Sequence, residues 1–477
     1  MKKNLLYILL FSFCSAAAQQ HYIAPTDSLV VKKLSQWQDW KFGLLMHWGT
    51  YSQWGVVESW SICPEDEGWT QRDSIHGKTY NDYKKNYEAL QTTFNPKNFD
   101  PAKWAAAAKD AGMKYVVFTT KHHDGFCMFD TKETDYKVTS PKTPFSKNPK
   151  SNIAKEVFDA FRKQGLATGA YFSKPDWHIN NYWWPYFPPK DRNVNYDPKK
   201  HPQRWSAFKD FTYNQIKELM SEYGRMDILW LDGGWVRPKH TIDTAIDWQR
   251  SITYEQDVDM PKIAAMARRY QPGLLVVDRS VGYEYENYIT PEQQIPPYVL
   301  PVPWESCITM AGSWSHVPND KYKSTNELIH MLVKVVTAGG NLLLNVGPDA
   351  NGSWDSTAYT RLKEMGNWLK INGEAIYNTK PYGAYAIKEP YSQNEYYTQS
   401  AKAVYLFKMM GEDGAEVYTQ KSFTSNDSKL AGFTKFQVLG IDKVYPIIQN
   451  EQGITINFPE AIKTARLKHA VVFKLIK

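Results

Sequence analysis

The run Met226-Asp227-Ile228-Leu229-Trp230-Leu231-Asp232-Gly233-Gly234-Trp235 is apolar until it stops on a carboxylate, two glycines and an indole. A short, nearly continuous apolar run reads as a buried parallel strand, and barrel enzymes carry their catalytic side chains at the carboxyl ends of such strands. Asp232 is therefore the leading candidate nucleophile, although an ordinary Asp-Gly turn after a strand gives the same pattern. The ends of other apolar runs add weight. His47-Trp48-Gly49 closes the first, Lys121-His122-His123-Asp124-Gly125 the second, Tyr171 with Ser173 and Trp177 the third, and Asp278-Arg279 the one after Asp232. A lone histidine is more often a satisfied core or surface residue. The set is harder to dismiss, because a barrel would gather all of these groups on one rim.

The elements that must position them alternate along the chain. Strands are expected at Phe42 to His47, Tyr115 to Thr120, Ala167 to Phe172, Ile228 to Asp232, Leu274 to Asp278 and Asn341 to Val346, with a less clear one leading to Trp304 and Glu305. Helical segments lie between them at Pro101 to Ala111, Ile153 to Lys163, Trp205 to Tyr223, Pro261 to Tyr270 and Asn326 to Thr337. Repeated βα units of this period suit a (β/α)8-type barrel over residues 19–375. An open doubly wound sheet gives similar alternation, but no GxGxxG or P-loop follows any strand. Near Tyr377 the texture changes to short alternating segments, which read as a C-terminal antiparallel β-sandwich over 376–477.

Composition narrows the class. Lys2 and Lys3, an apolar stretch from Leu5 to Phe11 and the small residues Ser15-Ala16-Ala17-Ala18 form a secretory signal peptide over residues 1–18, which places the mature protein in the periplasm or outside the cell. A lipidated Cys14 fits less well, since Phe11, Ser12 and Phe13 precede it. No later segment has the roughly 20 apolar residues of a membrane helix. Cys63, Cys127 and Cys307 are an odd number without CxxC spacing, so neither a zinc site nor a redox pair is indicated. The net charge of +7 is not gathered into basic blocks, which removes nucleic acid as a partner. By contrast, 18 Trp and 31 Tyr are many for a chain that is not hydrophobic overall, and aromatic faces with polar edges suit sugars as well as core filling.

Four segments carry a specific resemblance: Trp40 to Gly49, Thr120 to Phe126, Trp230 to Gly233, and Gly340-Asn341-Leu342-Leu343-Leu344-Asn345-Val346-Gly347-Pro348. In this order they resemble the α-L-fucosidases of glycoside hydrolase family 29, over about residues 36 to 375. The resemblance implies a retaining glycosidase, exo-acting on fucosylated oligosaccharides or glycoconjugates and needing no metal or other cofactor. One carboxylate attacks the anomeric carbon, while a second carboxyl protonates the leaving oxygen and then deprotonates water. Asp232 matches the family's nucleophile. The acid/base belongs on a variable downstream loop, here holding Glu284, Glu286 and Glu292. Thr290-Pro291-Glu292 resembles the segment that bears it, so Glu292 is first choice and Glu286 second, although Pro-Glu is also a common helix start. Glu305 is a further carboxylate in reach of that rim.

Sugar contacts implied by the resemblance are His47, Trp60, His122, His123, Tyr171, Trp230, Arg279, Trp304 and Glu58. Neutral imidazole donates and accepts, which suits hydroxyls, while Trp230, Trp235 or Trp304 could offer the 6-deoxy methyl an apolar niche. The family's adjacent Glu-Trp pair is here split by Ser59 in Glu58-Ser59-Trp60. Two rival readings follow from the same residues. His47, His122, His123, Asp124 and Asp232 could ligate a transition metal, provided the backbone turns at His122-His123, since successive strand residues face opposite sides. A sugar-binding protein without catalysis is the other.

Overall fold

The computed structural model describes residues 22–65, 70, 72–382, 395–411, 421–426, 430–451, 453–465 and 467–477. The leader read at residues 1–18 lies outside the described residues. Seven parallel strands form one curved sheet: β1 (Phe42–Met46), β2 (Tyr115–Lys121), β3 (Ala167–Ser173), β4 (Ile228–Asp232), β5 (Leu275–Asp278), β6 (Glu305–Thr309) and β7 (Asn341–Asn345), in the spatial order β5-β4-β3-β2-β1-β7-β6. Almost every residue in them is buried, as expected for strands covered on both faces. Helices Pro101–Asp110, Ile153–Lys163, Pro202–Glu222, Met260–Tyr270, Thr325–Thr337 and Ser356–Asn372 follow the strands. Each of the first two presents a buried apolar stripe inward, for example Ile153, Val157 and Phe161 at helical spacing.

The two edge strands, β5 and β6, do not pair directly, and residues 285–293 fill the gap between them. Asn287 N donates to Val276 O and Asp278 N to Tyr285 O on one side. On the other, Ile289 N donates to Pro303 O, Glu305 N to Ile289 O, and Cys307 N to Pro291 O. Bridges Ile289↔Trp304 and Glu292↔Cys307 run parallel to β6. An irregular stave thus closes the barrel and ends at Glu292, level with the middle of β6.

One expected strand is displaced. The segment leading to Trp304 and Glu305 was to end there, but β6 begins at Glu305. Pro301 and Pro303 have no N–H to give a ladder, so pairing starts only after them. Trp304 and Glu305 therefore stand at the amino end of the barrel. Trp304 packs on Gly340, where a Cβ would lie 2.6 Å from the indole. Among the described residues, the antiparallel part begins with β8 (Lys380–Pro381) and forms a six-stranded and a three-stranded sheet. Their own core includes Leu406, Phe436, Ile456 and Phe473. The two parts share hydrogen bonds, among them Trp368 Nε1 to Ala470 O at 3.1 Å and Asn326 Nδ2 to Met410 O at 3.0 Å.

Candidate active site

A cavity of about 670 Å³ opens at the carboxyl ends of the strands, lined among others by His47, Glu58, Trp60, His122, His123, Trp230, Asp232, Arg279 and Glu292. Register explains the gathering. Ser173 pairs with Asp232 and Leu231 with Asp278, so the residues that end β3, β4 and β5 emerge at one height. The chain then turns sharply at Gly233, which has φ +87° and lies so close to Pro175 that a Cβ would meet its ring at 2.2 Å. Only glycine fits there, and the turn leaves Asp232 facing the cavity.

Asp232 is held by three donors. Tyr171 Oη–H donates to Oδ2 at 2.6 Å, Gly233 N–H to Oδ1 at 2.8 Å, and Arg279 Nη1 to Oδ1 at 3.0 Å. Burial alone would raise its pKa. The charge of Arg279, with His123, Tyr171 and the Gly233 N–H, overrides that and holds the carboxyl well below the usual range. Tyr171 does not itself line the cavity but stands behind the carboxylate. Arg279 also donates through Nη2 to Glu292 Oε2 at 2.8 Å and through Nε to Thr290 Oγ1 at 3.0 Å, and its guanidinium lies 4.6 Å from the Trp230 ring centre. One guanidinium thus spans two carboxylates.

The three loop glutamates separate in space. Glu292 lines the cavity, with its side chain 47% exposed. Glu286 points away: its oxygens accept the N–H groups of Ser280 at 2.9 Å and Gly282 at 2.7 Å, so it shapes the turn after β5. Burial raises its pKa to about 7. Neither Glu284 nor Glu286 lines the cavity. Trp304 and Glu305, placed at the opposite end of the barrel by the late start of β6, do not either; of the indoles suggested for the methyl niche, Trp230 and Trp235 do.

Glu58 is buried at 2% exposure, and its Oε2 has no hydrogen-bond partner. Burial, reinforced by the nearby charges of Glu292 and Asp232, pushes its pKa up to about 8, so it is a neutral acid near pH 7. Burial lowers His47 and His123 to about 4 and His122 well below its ordinary value, so all three imidazoles are neutral. His123 sits edge-on to Trp60, with centroids 5.5 Å apart, and its Nε2 is 3.8 Å from Asp232 Oδ2.

The expectation that His122 and His123 diverge does not hold. β2 ends at Lys121, both residues lie beyond it, and their ring centres are 4.2 Å apart. With Asp232 they present ligand-type atoms all within 4.8 Å of one another. A competing charge already occupies that ground, since Asp232 is bonded to Arg279, Tyr171 and Gly233. Asp124 is turned away from the cavity and takes hydrogen bonds from Tyr87 Oη at 2.7 Å and Phe126 N at 3.2 Å. Arg192, at the end of the Trp-, Tyr- and Pro-rich Asn180 to Arg192 segment that the sequence suggests as flanking the acceptor subsite, lines the cavity; Trp248 and Trp314, which come from long loops, line it without any signal in the sequence. Asn345 was inside a motif already quoted, yet its bond to His47 joins residues 298 positions apart.

A sequence model of a family described as alpha-L-fucosidase matches residues 9–374. The chain is 26% identical over 496 residues to an alpha-L-fucosidase of Dictyostelium discoideum, spanning 100% of this chain and 99% of that protein. Among solved structures it is similar to alpha-L-fucosidase isoenzyme 1 from Paenibacillus thiaminolyticus, with a TM-score of 0.73, 27% identity, and coverage of 94% of this chain and 99% of that one. It also shares its fold with a GH29 alpha-L-fucosidase from Bacteroides thetaiotaomicron, a trapped covalent intermediate in complex with 2-fluoro-fucosyl fluoride, at a TM-score of 0.69 and 22% identity, covering 93% of this chain and 95% of that one.

Proposed function

Because the chain belongs to the alpha-L-fucosidase family, a family of glycoside hydrolases, we propose that it is a retaining, exo-acting enzyme that releases terminal α-L-fucosyl residues from oligosaccharides or glycoconjugates. The observation that carries the retaining mechanism is the single guanidinium joining Asp232 to Glu292. Both carboxyls bond to neighbouring nitrogens of that one group, at 3.0 and 2.8 Å, which favours the short separation of about 5 Å that retaining glycosidases use. The covalent intermediate trapped in the Bacteroides enzyme supports the same chemistry.

Asp232, ionised, attacks the anomeric carbon as the glycosidic C–O bond breaks, and Glu292 gives its proton to the departing oxygen. Water then attacks the same carbon, Glu292 takes a proton from it, and the Asp232–sugar bond breaks to free fucose with its configuration kept. The exposed Glu292 side chain has to leave Arg279 to reach the leaving oxygen. His47, His122 and His123 meet the sugar hydroxyls, Glu58 contributes a protonated carboxyl, and Trp60 and Trp230 supply apolar surface. Residues 1–18 are proposed to direct export to the periplasm.

Hydrolysis of an aryl α-L-fucoside, with mass spectrometry of the protein after a 2-fluoro-fucosyl fluoride, tests this reading. A label on Asp232 is expected; a label elsewhere or none, or fucose binding without turnover, overturns it. The His122, His123 and Asp232 cluster favours a second reading, metal-assisted hydrolysis. Full activity in excess chelator is expected, and loss of activity with a stoichiometric metal would transfer the preference to that class.

A further inference from the structure

We propose that Ser59 and Asn345, neither of which lines the cavity, set opposite hydrogen-bonding polarities on His47 and His122, so that the first offers the sugar an acceptor and the second a donor. The inference rests on the cavity being the fucosyl site, and names how that site selects a hydroxyl.

The hydrogen-bond network fixes each tautomer. The Asn345 side-chain Nδ2, which can only donate, gives its hydrogen to Trp314 O at 2.7 Å. Its Oδ1 is thereby turned to His47 Nδ1 at 2.9 Å, and an amide oxygen only accepts. His47 therefore carries its proton on Nδ1, and Nε2 is a bare acceptor. At Ser59 the chain of donors runs the other way. Asp124 N–H donates to Ser59 Oγ at 2.9 Å, and the hydroxyl's own hydrogen goes to His122 Nδ1 at 2.5 Å. The reverse arrangement, with His122 donating to Ser59, would leave a fully buried hydroxyl hydrogen without an acceptor. His122 is thus protonated on Nε2.

Both rings line the cavity, with centroids 5.5 Å apart and planes at 68°. A hydroxyl seated between them donates to His47 and accepts from His122, which a fluorine, an ether oxygen or a hydrogen at that carbon cannot do together. The polarity is a property of the protein alone, since both fixing bonds lie outside the cavity.

Neutron diffraction on perdeuterated crystals without ligand, or 15N NMR of histidine-labelled protein, reads the tautomers directly. Deuterium on Nδ1 of His47 and on Nε2 of His122 is expected; the same tautomer on both rings, or an imidazolium on either, overturns the proposal. Because this readout needs no substrate, it separates failure of the proposal from failure of the fucosidase reading, which the aryl fucoside tests. In solution, Ser59→Ala should release His122 into a tautomer mixture and raise KM for an aryl α-L-fucoside roughly tenfold, and Ser59→Thr, which keeps a hydroxyl, should restore both. An unchanged His122 signal in Ser59→Ala, or failure of Ser59→Thr to restore the fixed tautomer while folding normally, would also overturn it.

Discussion

A fully buried carboxyl and a half-buried one stand at opposite ends of the same barrel, with Trp230 between them. At the amino end, Glu305 is fully buried and accepts hydrogen bonds from the Tyr115 hydroxyl and from Trp230 Nε1 at 3.2 Å. Burial pushes its pKa up to about 7 despite those donors. At the carboxyl end, Asp232 has Arg279 instead, and stays ionised far below that. Neutral donors soften the cost of burying a carboxylate; a fixed cation reverses it. Burial of an acid therefore does not mark a catalytic group. What marks it is a paid-up counter-charge next to open space.

The strongest challenge to this contrast is Asp232→Gly. Activity on an aryl α-L-fucoside should fall on the order of 10⁴-fold while circular dichroism and the thermal midpoint stay near wild type. Azide should then restore part of the turnover and yield the β-fucosyl azide, whereas an α-product would assign Asp232 the other role. Glu292→Gln should cost about 10²- to 10⁴-fold on poor leaving groups and much less on an activated aryl group, with azide giving the α-azide. An equal loss on both leaving groups would remove Glu292 from proton transfer. Arg279→Met should cost roughly 10- to 100-fold and shift the acid limb of the kcat/KM profile to higher pH, because Asp232, the proposed nucleophile, loses the charge that keeps it ionised. A profile that does not move would mean that the arginine only shapes the pocket.

The smallest effect on catalysis is expected at Glu305, where stability is the better readout. Its folded pKa of about 7 exceeds the ordinary 4.5. Below 4.5 the carboxyl is protonated folded or unfolded, and its environment costs nothing. As pH rises through 7 the unfolded chain has already ionised while the folded one resists, so stability is lost in that window. Glu286 and Glu58, raised to about 7 and 8, act in the same direction. Glu305→Gln should therefore flatten the decline of the thermal midpoint between pH 5 and 8, by at most about 3 kcal/mol at the alkaline end. An identical decline in the variant would show that the carboxyl does not titrate there.

Much of the carboxyl rim is legible in the sequence because parallel strands buried on both faces leave a simple trace: an apolar run followed at once by polar residues. Asp232, His47 and Arg279 all follow that rule. Glu305 breaks it, since Tyr298-Val299-Leu300 looks more like a strand than Glu305-Ser306-Cys307 does, and only the prolines between them betray the true start. The tautomer-setting contacts leave no local trace at all. Ser59 and His122 are 63 residues apart, and Asn345 and His47 are 298 apart. Such pairs are created by barrel closure, which no window along the chain can see.

The segment from Tyr285 to Gln293 gives the rim a hinge of design. Seven staves are locked to their neighbours by regular ladders, and a one-residue slip in any of them would turn its whole face around. The eighth is pinned at scattered points and carries Glu292 at its tip. Adding or removing a residue between Asn287 and Thr290 would carry Glu292, the proposed proton donor, nearer to or farther from Asp232 without disturbing the strand that bears Asp232. Under the proposed mechanism, reach toward different departing groups can thus be adjusted in one place, while the strand that carries Asp232 stays where it is.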